Sequence, residues 1–358
     1  MGPGPSEIGK PGLDLSLLSG FSFICLPNCG LCCYATPAVS PDEKPPLLKV
    51  DSKMPFLDGK GGYVRIASRP QGGACHFLSS NRCLCHPVRP FPCAEFPVSV
   101  HLGSRAQATL ILSCPGVDIR NISAWADMPE PTEAPIGLNF ELGFIKAECE
   151  RHPLSKWLAE GSKREKALQQ KMMRKGLWTS PEDLRALFLE DMPLPGEGDF
   201  PVTPPPGEEE GIEALPLFFD ERLGRVALRA KDEGWEALTI RETGGVKESI
   251  GCYKPPSQPP SLDEGAEAML RGYLSYITRR DTLLWAICLE LQNHPEVPII
   301  EMFDAFLHEV GGQVLTRAWL RLQMEGNPRD TLTRTDVEKG IRAADADLMD
   351  QLTLGRVL

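Results

Sequence analysis

Nine of the chain's 12 cysteines fall between Cys25 and Cys114, and four of them, Cys25, Cys29, Cys32 and Cys33, occupy nine consecutive positions. Thiols packed this closely limit what the segment can become: a disulfide framework, a thiolate cage for zinc, or the seat of an iron–sulfur cluster. At 358 residues the chain is long enough to bury an apolar core without covalent staples. No apolar run approaches the roughly 18 to 20 residues of a membrane span. The opening MGPGPSEIGKPGLDL lacks the apolar centre of an export signal. A reducing cytoplasm is therefore the expected location, and there clustered thiolates serve soft metals rather than one another.

A second cluster holds Cys75, Cys83, Cys85 and Cys93, and Cys114-Pro115-Gly116 adds a third element. Proline and glycine beside the cysteines set up the tight loops that ligation needs. The side chains of adjacent residues such as Cys32 and Cys33 diverge, so they share one ion only in a sharp turn; otherwise they serve two centres, or one is core. Eight thiols, from Cys25, Cys29, Cys32, Cys33, Cys75, Cys83, Cys93 and Cys114, suffice for two four-thiolate centres. Zinc and an iron–sulfur cluster ask for the same ligands, and the compact cysteine loops favour the cluster, of the 4Fe-4S type.

Arg89 is the candidate cofactor-binding cation, offsetting thiolate charge. Cys85 and His86, in a Cys-x-Cys-His setting, are possible additional ligands, whereas His76 and His101 read as surface or packing residues. Glu95, beside Cys93, reads as a strand-edge charge, with a base as the alternative. Cys149, Cys252 and Cys288 read as buried small hydrophobes. No catalytic residue stands out: GxSxG, a phosphate loop and a GxGxxG opening a helix are all absent from the sequence. Cys25-x3-Cys29-x2-Cys32 matches the cluster loop of radical enzymes in spacing, but no alternating strand and helix series accompanies it.

Together these pieces resemble the CxxCxxCC cysteine-cluster family, described as a zinc- or iron-chelating domain. The resemblance covers the first third of the chain and rests on Cys25, Cys29-x-x-Cys32-Cys33, Cys75-x-Phe77-Leu78, Cys83, Arg89-Pro90, Cys93 and Phe96-Pro97. Two features depart from the commonest pattern: three residues separate Cys25 from Cys29, and Cys85-His86 stands where an aromatic residue is more usual. Larger members resemble flagellin lysine-N-methylases, and the Leu270-Arg271-Gly272-Tyr273-Leu274 stretch is similar to theirs, which implies methyl transfer to a protein lysine as an alternative function. A third alternative is a structural zinc module for protein interaction.

Charge divides the chain unevenly. Residues 20–120 hold ten Lys and Arg against six Asp and Glu, although the whole chain carries a net charge of -11. The basic surplus suits compensation for thiolates, and no dense Lys/Arg stripe marks a nucleic-acid surface. The acidic remainder is the expected contact for a protein partner or protein substrate, with neither nucleic acid nor membrane involved.

The expected fold class is α+β: a small antiparallel-strand cysteine-cluster domain over 15–125, followed by a mainly helical region containing a small β-meander. Residues 126–190 form a helical segment, with helices over 138–160 and 164–176 and a start at Ser180-Pro181. Residues 191–211 are a proline- and acid-rich connection. Residues 212–326 combine the meander (Leu215 to Tyr253) with helices, one opened by a capping box at Ser261 and Glu264 and one, from about Val297 to Gln323, interrupted or bent near Gly311-Gly312. Residues 327–358 are a polar tail, loosely attached. In the first part, GYVRIA (62–67) predicts a strand, and 96–102 with 106–112 a hairpin around Gly103-Ser104.

Overall fold

The computed structural model describes residues 13–26, 29–34, 37–59, 63–103, 105–127, 154–190, 192, 194–195, 200, 202–290 and 296–345. Outside these lie Cys149, Ser104, the stretch 138–153 expected to be helical, parts of the connection 191–211, and residues 346–358 of the tail. The architecture is α+β, as the sequence indicates.

The cysteine-bearing part is built from very short strands. In chain order these are β1 (Leu13–Asp14), β2 (Ser22–Phe23), β3 (Ala38–Val39), β4 (Phe56–Asp58), β5 (Val64–Ile66), β6 (Leu78–Ser79), β7 (Arg82–Cys83), β8 (Val98–Leu102), β9 (Ala106–Leu110) and β10 (Val117–Asp118). Two short helices join them, α1 (Lys44–Val50) and α2 (Phe91–Glu95). They pair as β1-β9-β8, β10-β2, β3-β5-β4 and β6-β7. The hairpin β8–β9 runs in register from Leu102↔Ala106 to Val98↔Leu110. Every residue of β9 is buried, because the hairpin has neighbours on both faces rather than a wet side.

What covers it is the helical region: α3 (Leu154–Arg174), α4 (Pro181–Glu190), α5 (Glu264–Thr278), α6 (Asp281–Glu290), α7 (Ile299–Met324) and α8 (Arg334–Ala344). Tyr276 on α5 accepts the Leu110 N–H at its hydroxyl (3.0 Å), and Arg280 donates to the Leu110 carbonyl at 2.8 Å. Gln107 donates to the Arg279 carbonyl and accepts the Asp281 N–H. One apolar core then runs from Leu17, Phe21, Val100 and Trp125 to Tyr273, Tyr276, Val314 and Ile341, crossing residue 125 without a break. At its edge, Arg280 and Asp345 form an ion pair at 2.9 Å that is almost wholly shielded from water.

The meander is β11 (Leu217–Asp220), β12 (Gly224–Lys231), β13 (Gly234–Ile240) and β14 (Val246–Tyr253), in that order and antiparallel throughout. Phe218, Val226, Leu228 and Trp235 bury against Leu320 of α7 and Ala343 of α8. A parallel pair, β15 (Ser261–Leu262) with β16 (Thr331–Leu332), ties the start of α5 to the start of α8.

Several expectations need correction. Ser261 does not cap α5, because it lies in β15; the cap is Asp263, whose carboxylate accepts the Ala266 N–H at 2.7 Å. α7 is continuous through Gly311-Gly312, since burial outweighs the low helix propensity of glycine and the bare flank of Gly311 receives Pro195. α3 spans 160–164 without a gap, and α6 was not foreseen. The loosely attached tail is instead a packed helix over its described part: Thr333 and Asp336 form a capping box, and Val337 and Ile341 are fully buried. Its polar composition belongs to the outer face of an amphipathic helix. Cys252 is exposed rather than buried. Glu95 is buried at the end of α2 rather than charged at a strand edge.

Candidate metal centre

Each cysteine segment is fixed by a different local device. The pairing of β2 with β10 places Cys25 just beyond one strand and Cys114 just before the other, joined by the Ile24 N–H bond to the Gly116 carbonyl at 2.9 Å. A Cβ on Gly116 would lie 2.3 Å from the Ile24 carbonyl oxygen, so only glycine permits this approach. From the helical region, Arg342 donates to the carbonyls of Cys114 and Val117, both at 2.9 Å.

Between Cys29 and Cys32 the chain reverses at Gly30, whose φ of +64° suits glycine. A single turn of 3-10 helix over Leu31–Tyr34 then carries both Cys32 and Cys33. Cys33 is buried in a small core with Val39, Ile66, Phe77 and Leu78, while Cys32 is half-buried beside it. The Cys75 N–H donates to the Cys33 carbonyl at 2.6 Å, locking the second segment to the first.

The hairpin β6–β7 turns through Ser80 and Asn81, both with positive φ, the conformation that two-residue hairpins prefer. Cys83 ends β7, and its sulfur lies 3.5 Å from that of Cys85. After Arg89-Pro90 the chain enters α2, which begins with Phe91-Pro92 and carries Cys93.

The thiols sense one another in two groups that share Cys32. In the first, burial and then the neighbouring Cys32 and Cys25 charges push Cys29 up to about 11, although the Leu31 N–H opposes this. Cys114 goes up to about 12 through burial, with Cys29, Cys32 and Cys25 adding to it. Burial and Cys32 also raise Cys25. In the second, the neighbouring Cys33 thiol favours the thiolate at Cys32 and at Cys83, lowering both, and the Cys85 sulfur at 3.5 Å lowers Cys83 further. Burial lifts Cys75 to about 11 and Cys93 well above the ordinary thiol range. Buried thiols held neutral beside two that favour the thiolate are poised to lose protons only when a cation compensates them.

Cations surround both groups. The charge of Arg89 favours thiolates at Cys25, Cys32 and Cys93. Its Nη1 also lies 2.8 Å from His86 Nε2, so that the His86 ring is engaged by Arg89. Arg225, from β12, acts in the same sense on Cys29, and Arg69 on Cys75. Of the other histidines, His76 pairs with Asp51 at 2.7 Å and His101 is fully buried in β8. Glu95 is neutralised by burial, its carboxyl held well above the usual range.

The charge at Cys32 thus reaches Cys25, Cys29 and Cys114 as well as Cys33, Cys75 and Cys93, while the sulfurs of Cys83 and Cys85 stand 3.5 Å apart. Among the described residues, no three His, Cys, Asp or Glu side chains converge closely enough to hold a metal ion as they stand. In kind the donors suit a soft ion or cluster: they are free thiols, mostly buried, opposed by guanidinium groups.

Sequence reasoning did not find the supports supplied by the meander. Glu242 accepts the Ser80 and Asn81 N–H groups, pairs with Arg69 at 3.4 Å, and offers its own carbonyl to the Ala74 N–H. Arg225 donates to Asn81 Oδ1 at 2.7 Å and lies over the Tyr34 ring. Nothing local in the sequence marks either residue, because their partners are more than a hundred positions away.

Residues 24–115 match the family model CxxCxxCC, described as "Putative zinc- or iron-chelating domain". No curated protein and no solved structure matches the chain.

Proposed function

We propose that the cysteine lobe carries a thiolate-ligated iron centre of the iron–sulfur type, in a protein that works in a reducing compartment. What supports this reading is that free thiols on three separated segments are tied together by backbone, through the β2–β10 pair and the Cys75 to Cys33 hydrogen bond, and sense the charge at Cys32. Cys25, Cys29, Cys32 and Cys114 are the ligands of one group; Cys33, Cys75, Cys83, Cys85 and Cys93 supply the other. A bound cluster would contribute one-electron transfer. The chain's own part is to hold the thiols out of water, place Arg89 and Arg225 against their charge, and leave Cys25 exposed at the surface. A bound centre would require the sulfurs to stand closer together than they do among the described residues.

Anaerobic purification followed by visible spectroscopy and analysis for iron, zinc and acid-labile sulfide tests this directly. A brown protein with iron and sulfide bears the proposal out. Stoichiometric zinc in a colourless protein replaces it with a structural zinc module, a reading favoured by the small size of the core around Cys33, Cys75 and Cys85, ten buried residues of which these cysteines are three. Absence of both metals from protein made in iron- and zinc-replete medium overturns both.

A further inference from the structure

Beside the cysteine lobe, a cleft of about 740 Å³ opens between the start of β12, the β13–β14 turn and the β6–β7 hairpin. Its size suits a small molecule. Four cations line it, Arg222, Arg225, Arg241 and Lys247, against two carboxylates, Glu221 and Glu242. Glu242 is already committed to Arg69 and to the two N–H groups of the Ser80-Asn81 turn, and Lys247 faces Glu248 at 3.7 Å. Among the described residues, no carboxylate takes up the charge of Arg222, Arg225 or Arg241.

The guanidinium of Arg225 is held in place by Asn81 Oδ1 and the Tyr34 ring, and its Nε is shut away from water without a partner. A guanidinium fixed in this way without a carboxylate partner is a poor device for stability, since it costs desolvation and side-chain entropy. It is a good device for an oxyanion, which arginine's planar fork binds through paired hydrogen bonds. Phe219, Leu223 and Ile240 add apolar wall to the same cleft.

We infer that this cleft binds a small organic phosphate, its phosphoryl group held by Arg222, Arg225 and Arg241 and its apolar body laid against Phe219 and Ile240. The cleft shares Arg225 and Asn81 with the cysteine lobe, and the charge of Arg225 also favours the Cys29 thiolate, so the variants that test the cleft are taken at Arg222 and Arg241.

Isothermal titration with phenyl phosphate, inorganic phosphate and phenylacetate tests it on the full chain. Phenyl phosphate is expected to bind saturably, about tenfold or more tighter than either of the others, because only it offers both a doubly charged head and an apolar body. Arg241→Gln and Arg222→Gln, at exposed positions where folding is not at stake, are each expected to weaken it about tenfold. The matched surface change Arg174→Gln should leave it unmoved, as should the metal content in all three variants. Absence of saturable binding at millimolar phenyl phosphate overturns the inference, as do equal affinity for phenylacetate or unchanged affinity in both cleft variants.

Discussion

The two ends of this molecule are held together by different means. The helical region closes over long elements, α5 and α7 above all, whose buried faces form one continuous apolar core sealed by the shielded Arg280–Asp345 pair. The cysteine lobe has strands of two or three residues outside its one five-residue hairpin, and its own core is small and partly made of sulfur. Burial of apolar surface scales with the size of the elements that share it, so short strands cannot stabilise themselves. The lobe instead borrows rigidity, from the helices through Tyr276, Arg280 and Arg342 and from the meander through Glu242 and Arg225.

The strongest way to break the comparison is at the thiol both groups share. Cys32→Ser should abolish most of the bound metal and speed hydrogen exchange across residues 29–34 and 75–93, while α5 and α7 keep their protection. Equal loosening of both regions, read by exchange mass spectrometry, would erase the distinction. On the other side, Asp345→Ala leaves Arg280 buried without its counter-charge and removes acceptors from Tyr273 and the Leu112 N–H. A loss of about 3–5 kcal/mol is expected in denaturant unfolding.

A smaller effect sharpens the boundary between the regions. Gly116→Ala forces a methyl group against the Ile24 carbonyl, and a loss of about 1–3 kcal/mol follows, with weakened metal retention because Cys25 and Cys114 move apart. The smallest is a dependence on acid. Burial raises Asp281, but hydrogen bonds and charge from Arg105 and Arg185 prevail and set it below its ordinary 3.8. Asp220 is lowered likewise, with burial outweighed by the Leu223 and Arg222 N–H groups and Arg321. Depressed carboxylates contribute stability that is complete above the unfolded value and lost as pH falls through the folded one. The melting point of the helical region should therefore begin to drop below about pH 4, and Asp281→Asn should blunt that drop.

Legibility followed the range of the interaction. The β8–β9 hairpin and the meander were readable because alternation and turn residues act within a few positions. So was the start of α4, where the Asp183 N–H meets Ser180 Oγ at 3.0 Å. The cysteine segments were readable from spacing, but not the backbone ties that join them, the β2–β10 pair and the Cys75 to Cys33 hydrogen bond, which depend on segments meeting in space. α8 was hidden by its polar outer face, and the unbroken α7 by burial overriding two glycines. Glu242 and Arg225 had no local signature at all.

Arg342 sits on the last helix to be described yet grips the carbonyl groups on either side of the third cysteine turn. A fragment cut to the 24–115 match would lose that clasp, the roof over Leu110 and the β1 strand that covers β9, exposing the β9 edge to aggregation and leaving Cys114 free to drift. The matched segment is thus a recognisable module in sequence without being an autonomous one in space, and biochemistry on the excised piece would report on its injury more than on its native behaviour.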